Sequence, residues 1–220
     1  MKTLLSTKLL SPSQKGLLLN SGLGLVEYNA LEIEPLQVEI PLDCKNLIFT
    51  SQNTVKLFLS RTKGVDLGHF NAFCVGEKTS GLLRSNGMKV VKVCDYAAQL
   101  GDHIVDAHRE TRFLFLCGRQ RREVLPELFK KNNIRYKELA VYDSHPNPKA
   151  FDREFSGILC FSPLGIQSFM IKNAPGNSIL FCIGETTAEE AGKHSNNIVI
   201  ANRPTVENVL VRAINHLRHD

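Results

Sequence analysis

The feature that most constrains this chain is a weak internal duplication. Leu47-Ile48-Phe49-Thr50-Ser51-Gln52-Asn53-Thr54-Val55 is echoed by Ile158-Leu159-Cys160-Phe161-Ser162-Pro163-Leu164-Gly165-Ile166. Phe73-Cys74-Val75-Gly76-Glu77-Lys78-Thr79 is echoed by Phe181-Cys182-Ile183-Gly184-Glu185-Thr186-Thr187. Each copy reads as an apolar strand ending in Ser, a helix, an apolar strand ending in Gly-Glu-x-Thr, and a second helix. A fold that accommodates this must hold two similar β-α-β-α units.

The rest of the chain continues the alternation. Apolar runs predict strands near 2–6, 26–34, 46–50, 71–75, 88–93, 111–116, 135–142, 157–161, 178–183 and 197–201. Several are almost continuously apolar, as parallel strands buried on both faces are. Helical periodicity fills the gaps. Pro204-Thr205 opens a last helix whose Val206, Val209, Leu210, Ala213, Ile214 and Leu217 form one stripe. Another helix is read over about 119–132, with Val124, Leu125, Leu128 and Phe129 inward, and a third begins at Ser51 or Gln52. The expected class is α/β, with two similar doubly wound parallel-sheet domains. The runs 26–34 and 137–142 are half polar, and both read as ribbons crossing between domains.

In open parallel sheets, ligands bind outside the carboxyl ends of the strands. The first amides of the helices that follow lack partners and favour anions. Glycine admits close approach, and Ser or Thr adds a cap and a hydroxyl donor. Ser51, Ser162, Thr79 and Thr187 fit helix caps as they stand; their recurrence at matched positions points to ligand sites. Glu77 and Glu185 suit the positive ends of the helices they open.

Other chemistries are disfavoured. The net charge of +5 is mild, and Arg119, Arg121 and Arg122 have no interleaved aromatics, so nucleic acid is not an expected partner. Six cysteines occur without a C-x-x-C pair, and the seven histidines, from His69 to His219, show no ligand spacing, so no metal is expected. The cysteines read as buried thiols of a reducing compartment. Cys117, before a glycine at a strand end, has no paired base to make it a nucleophile. Residues 1–8 do not read as a signal peptide, and no segment suits a membrane span, so the expected location is cytoplasmic. Neither G-x-G-x-x-G nor a Walker-type loop is present, which disfavours a nucleotide enzyme.

The runs Ile48-Phe49-Thr50-Ser51, Val75-Gly76-Glu77-Lys78-Thr79, Leu116-Cys117-Gly118-Arg119 with Arg121 to Leu128, Val141-Tyr142, Phe161 to Phe169, Ile183-Gly184-Glu185-Thr186-Thr187 and Pro204-Thr205 resemble, in order and spacing, those of the uroporphyrinogen-III synthase family. The resemblance implies two α/β domains, the first discontinuous (1–32 and 146–220), the second 37–138, with a two-stranded connector at 33–36 and 139–145. Asp143-Ser144-His145 is more polar than the family pattern. The implied reaction needs no cofactor: hydroxymethylbilane, a linear tetrapyrrole polycarboxylate, loses water and closes with inversion of ring D to uroporphyrinogen III. Uncatalysed, this substrate closes to the symmetric isomer, so the enzyme must supply positioning and stabilise a cationic intermediate. On this reading Thr50, Ser51, Gly76, Thr79, Gly118, Arg119, Ser162, Gly165, Gly184, Thr186 and Thr187 bind substrate, and Tyr142 assists loss of the hydroxyl group. A monomer is expected, with transient hand-over from the upstream deaminase. The competing reading is a non-catalytic two-domain clamp for a small anion.

Overall fold

Apolar strands bury both faces only when helices cover both sides of a sheet, and the chain alternates accordingly. The computed structural model describes residues 1–218; His219 and Asp220 lie outside the described residues. In chain order the elements are β1 (Thr3–Ser6), α1 (Pro12–Leu19), β2 (Gly24–Glu27), β3 (Leu31–Pro35), β4 (Asn46–Phe49), α2 (Gln52–Arg61), β5 (Asn71–Val75), α3 (Glu77–Ser85), β6 (Lys89–Cys94), α4 (Ala97–Ala107), β7 (Phe113–Gly118), α5 (Val124–Lys131), β8 (Tyr136–Pro146), β9 (Gly157–Cys160), α6 (Pro163–Met170), β10 (Ile179–Cys182), α7 (Glu185–Ala191), β11 (Ile198–Ile200) and α8 (Val206–Arg218). They divide into two compact units, one taking Met1–Glu32 and the chain from His145 onward, the other Ile33–Ser144.

The first unit holds a sheet of order β11-β10-β9-β1-β2, parallel throughout. Strand alternation sends Leu5, Ile158, Cys160, Leu180 and Cys182 to one face, packed with Ile166 and Phe169 of α6. Leu4, Leu159 and Phe181 go to the other, packed with Val209, Leu210 and Ala213 of α8. The second unit holds the order β3-β8-β7-β4-β5-β6. There Leu47, Phe49, Leu114 and Leu116 face α2, while Ile48, Phe73, Phe113 and Phe115 face Leu100, Leu125 and Phe129 of α4 and α5. Each fully buried Phe or Leu of these layers contributes roughly 1.5–3 kcal/mol. The α/β class with parallel sheets is the one expected from the sequence. The two repeat copies become β4-α2-β5-α3 in one unit and β9-α6-β10-α7 in the other.

Two expected elements differ. The run 26–34 is not one strand but β2 and β3, in different sheets. Tyr28 and Ala30 donate backbone bonds to Ser6 and Thr7, completing the pairing with β1, and the Tyr28 ring packs edge-on against Phe151 at 5.1 Å. The chain leaves the first sheet only after that. The helix read from residue 119 starts at Val124. Pro126 sets this limit: its ring excludes a helical carbonyl four residues earlier, at Arg122, so it fits only in the first turn. The last helix keeps its stripe, with Val209, Leu210, Ala213, Ile214 and Leu217 all buried. Among the described residues, no helix is long and apolar enough to cross a membrane.

Candidate functional site

A parallel sheet opens a crevice where successive connections leave in opposite directions. In the second unit this point lies between β4 and β7, since β5 and β6 extend one way and β8 the other. The carboxyl ends there are Thr50-Ser51 and Gly118-Arg119. Ser51 is the N-cap of α2, its Oγ accepting from the Asn53 amide at 3.1 Å. The Tyr142 hydroxyl also donates to that oxygen, at 3.4 Å. Ser51 therefore keeps its own hydroxyl proton to donate.

Tyr142 reaches Ser51 through a local irregularity. Along β7 and β8 the register runs Cys117 to Ala140 and then Gly118 to Tyr142, so Val141 is an extra residue in β8. Such a bulge re-aims the next side chain. Val141 is buried in the core and Tyr142 lies against Gly118. A Cβ on Gly118 would sit 2.6 Å from the Tyr142 Cζ and 2.9 Å from its oxygen. Gly118 is thus the seat of the phenol ring.

The remaining candidates occupy neighbouring strand ends. Gly76 caps α3 with φ +85°, a conformation that favours glycine, and its carbonyl accepts from the Thr79 amide. Gly184 opens α7 in the same place, but in extended backbone. Thr79 and Thr187 are buried, whereas Thr186 is exposed. In the first unit the connections reverse between β1 and β9. Ser162 caps α6 by accepting from the Gly165 amide at 3.1 Å, and Gly165 is tight against that hydroxyl and 3.7 Å from Thr7 Oγ1 at the position of a Cβ. Thr7 is not among the residues singled out by sequence. It is buried and donates to the Leu159 carbonyl at 2.8 Å, tying the ends of β1 and β9 together. Ser6-Thr7, a hydroxyl pair at the end of an apolar strand like Thr50-Ser51, is the signal that could have found it.

The structure thus gathers Thr50, Ser51, Gly118, Arg119 and Tyr142 at one switch point. Gly76 and Thr79 lie one strand away on the same sheet. Ser162 and Gly165 stand at the switch point of the other sheet, with Gly184, Thr186 and Thr187 one strand along. Chemically, these are strand-end hydroxyls with glycines among them, and a phenol stands beside one of the hydroxyls.

A sequence profile described as uroporphyrinogen-III synthase HemD matches residues 14–210. The chain belongs to the uroporphyrinogen-III synthase family. It is 24% identical to the porphyrin biosynthesis protein HemD of Ruminiclostridium josui over 84% of its own length, and spans about 42% of the length of that relative. The fold is similar to that of uroporphyrinogen-III synthetase from Helicobacter pylori, with TM-score 0.77 and 19% identity over 98% of this chain and 100% of that one. It is also similar to a mutant uroporphyrinogen III synthase from the extremely thermophilic bacterium Thermus thermophilus, with TM-score 0.62 and 12% identity over the whole of both chains.

The basic turn of this synthase-family chain is largely neutralised. Arg121 pairs through Nε with Glu138 at 2.9 Å and also with Glu123, and these carboxylates hold its guanidinium protonated. Arg119 pairs with Asp143 at 2.9 Å. The thiols are the opposite case. Burial pushes Cys117 up to about 12 and Cys74 up to about 11, from an ordinary value of 9.0. Burial likewise pushes the Tyr28 hydroxyl up to about 12 from 10.0. Burial therefore keeps Cys117 a neutral thiol at neutral pH.

These shifts carry a sign. A group raised in the folded state stabilises fully below its unfolded value, and that contribution is lost as pH rises through the folded value. We expect stability to be flat through neutral pH and to fall from about pH 9 toward pH 11–12. Urea unfolding across that range checks this; a midpoint unchanged at pH 11 would contradict it.

Proposed function

We propose that this chain converts hydroxymethylbilane to uroporphyrinogen III, by loss of water, inversion of ring D and closure of the ring. Membership of the synthase family over residues 14–210 carries this reading. The strand-end chemistry supports it. The substrate is a polycarboxylate; Thr50, Ser51, Thr79, Ser162, Thr186 and Thr187 supply hydroxyls, and Gly76, Gly165 and Gly184 leave the strand ends without a side chain where a carboxylate approaches. Each compact unit serves as a substrate-binding domain. Binding fixes the substrate in the conformer that closes with inversion, which is where most of the rate advantage arises.

Tyr142 acts at the leaving group. Its phenol exchanges the long bond to Ser51 for one to the hydroxymethyl oxygen of ring A, and donates as that oxygen departs. The carbocation left behind is conjugated with the pyrrole nitrogen. A full unpaired cation beside it would oppose its formation, so the pairing of Arg119 with Asp143 suits the chemistry. Gly118 seats the ring that performs the step. The chain works as a cytoplasmic monomer that receives its unstable substrate from the upstream deaminase.

The test supplies hydroxymethylbilane, generated in situ by the deaminase, and separates the oxidised products by chromatography. The synthase reading expects mainly the type III isomer. A clamp that binds without catalysis leaves the spontaneous type I product.

A further inference from the structure

We propose that Asp143 is a positioning residue of this site, a buried carboxylate that holds the Arg119 guanidinium in place at the ends of β7 and β8 to receive a substrate carboxylate; this rests on the synthase reading above. The polar run Asp143-Ser144-His145 departs from the family pattern, and the local geometry gives it a purpose. Asp143 is 5% exposed, toward the end of β8 and directly after the residue that carries the phenol. Its Oδ2 accepts from Arg119 Nη1 at 2.9 Å and its Oδ1 from the Ser144 amide at 2.8 Å. The Arg119 side chain stays 61% exposed, so the pair is anchored at its acidic end and open at its basic end.

The surrounding bonds hold both partners. The Arg119 amide donates to the Tyr142 carbonyl at 2.9 Å. Gln120 and Ser144 exchange two bonds at 3.1 Å, side chain to backbone in each direction. The turn after β7 is thereby tied to the last part of β8 on both sides of the ion pair. A charged group that must be desolvated in order to be held needs its partner; a fully exposed arginine would lose its side-chain freedom on binding substrate instead. Asp143 removes part of that cost in advance. A guanidinium has more donors than one carboxylate uses, and this exposed one can give two to a second carboxylate at once.

The test is a double-mutant cycle with Asp143→Asn and Arg119→Gln, measured as kcat/KM with hydroxymethylbilane. Asparagine at 143 still accepts from the Ser144 amide, so the turn is kept. We expect Asp143→Asn to lower kcat/KM about tenfold when Arg119 is present, mostly through KM, and by less than about twofold when residue 119 is glutamine. An equal loss in both backgrounds, or none in either, overturns the proposal, because a residue that only supports the fold acts regardless of Arg119. A second readout does not depend on activity. Nitrogen NMR of the arginine side chains is expected to show Arg119 ordered in the native chain and averaged with the exposed arginines in Asp143→Asn. If Arg119 is equally ordered in both, the positioning role is wrong; if the native chain forms no type III product while Arg119 loses order as expected, it is the synthase reading that fails.

Discussion

Tyr142→Phe is expected to lower kcat roughly a hundredfold, the low end of what a positioned acid contributes. The same change should alter unfolding free energy by no more than about 0.5 kcal/mol. The two readouts separate because the phenol oxygen makes one long bond, 3.4 Å to Ser51 Oγ, while the ring keeps its place against Gly118. Phenylalanine retains that packing and loses only the donor. Ser51 still caps its helix through the Asn53 amide. Steady-state turnover in the deaminase-coupled assay, beside urea unfolding of the same samples, makes the comparison. Unchanged turnover would remove Tyr142 from the mechanism.

Gly118→Ala is expected to lower turnover by a comparable factor through a different route. The added methyl lies 2.6 to 2.9 Å from three atoms of the Tyr142 side chain, closer than any packed carbon tolerates. These atoms are the far end of a half-buried side chain, so the ring swings off the end of β7 at a cost of up to about 1 kcal/mol. Unlike Tyr142→Phe, this change should lower both stability and kcat. Combining it with Tyr142→Ala isolates the cause: with the ring gone, Gly118→Ala should add little further destabilisation. A Gly118→Ala chain with native turnover and native unfolding midpoint would show that the ring is not seated there.

The parts of this fold legible in the sequence are those governed by local pattern. Leu47-Ile48-Phe49 and Phe181-Cys182 announce strands buried on both faces, and the stripe from Val209 to Leu217 announces its helix. The strand-end serines are legible for the same reason, because a cap follows from the residue at the first helical turn. Tertiary choices are not legible. The break between β2 and β3 depends on where β1 stops offering carbonyls, at Ser6 and Thr7, which no local pattern in 26–34 encodes. The extra residue at Val141, which turns Tyr142 toward Gly118, emerges only when β8 is laid beside β7. By sequence, Gly118 reads as a place where ligand approaches the backbone; the structure places the Tyr142 ring against it. Asp143 is an anomaly in the sequence until its partners Arg119 and Ser144 stand beside it.

Directed closure of hydroxymethylbilane is the proposed activity on which every role above depends. The most direct measurement is the fraction of type III isomer formed when the folded protein is present from the moment the deaminase releases its product. Type III is expected to predominate, its fraction to rise with protein concentration, and to drop toward the spontaneous type I product with Tyr142→Phe. Type I product alone, from a folded native sample, would contradict the synthase activity and leave a clamp that binds polycarboxylates at its strand ends without turning them over.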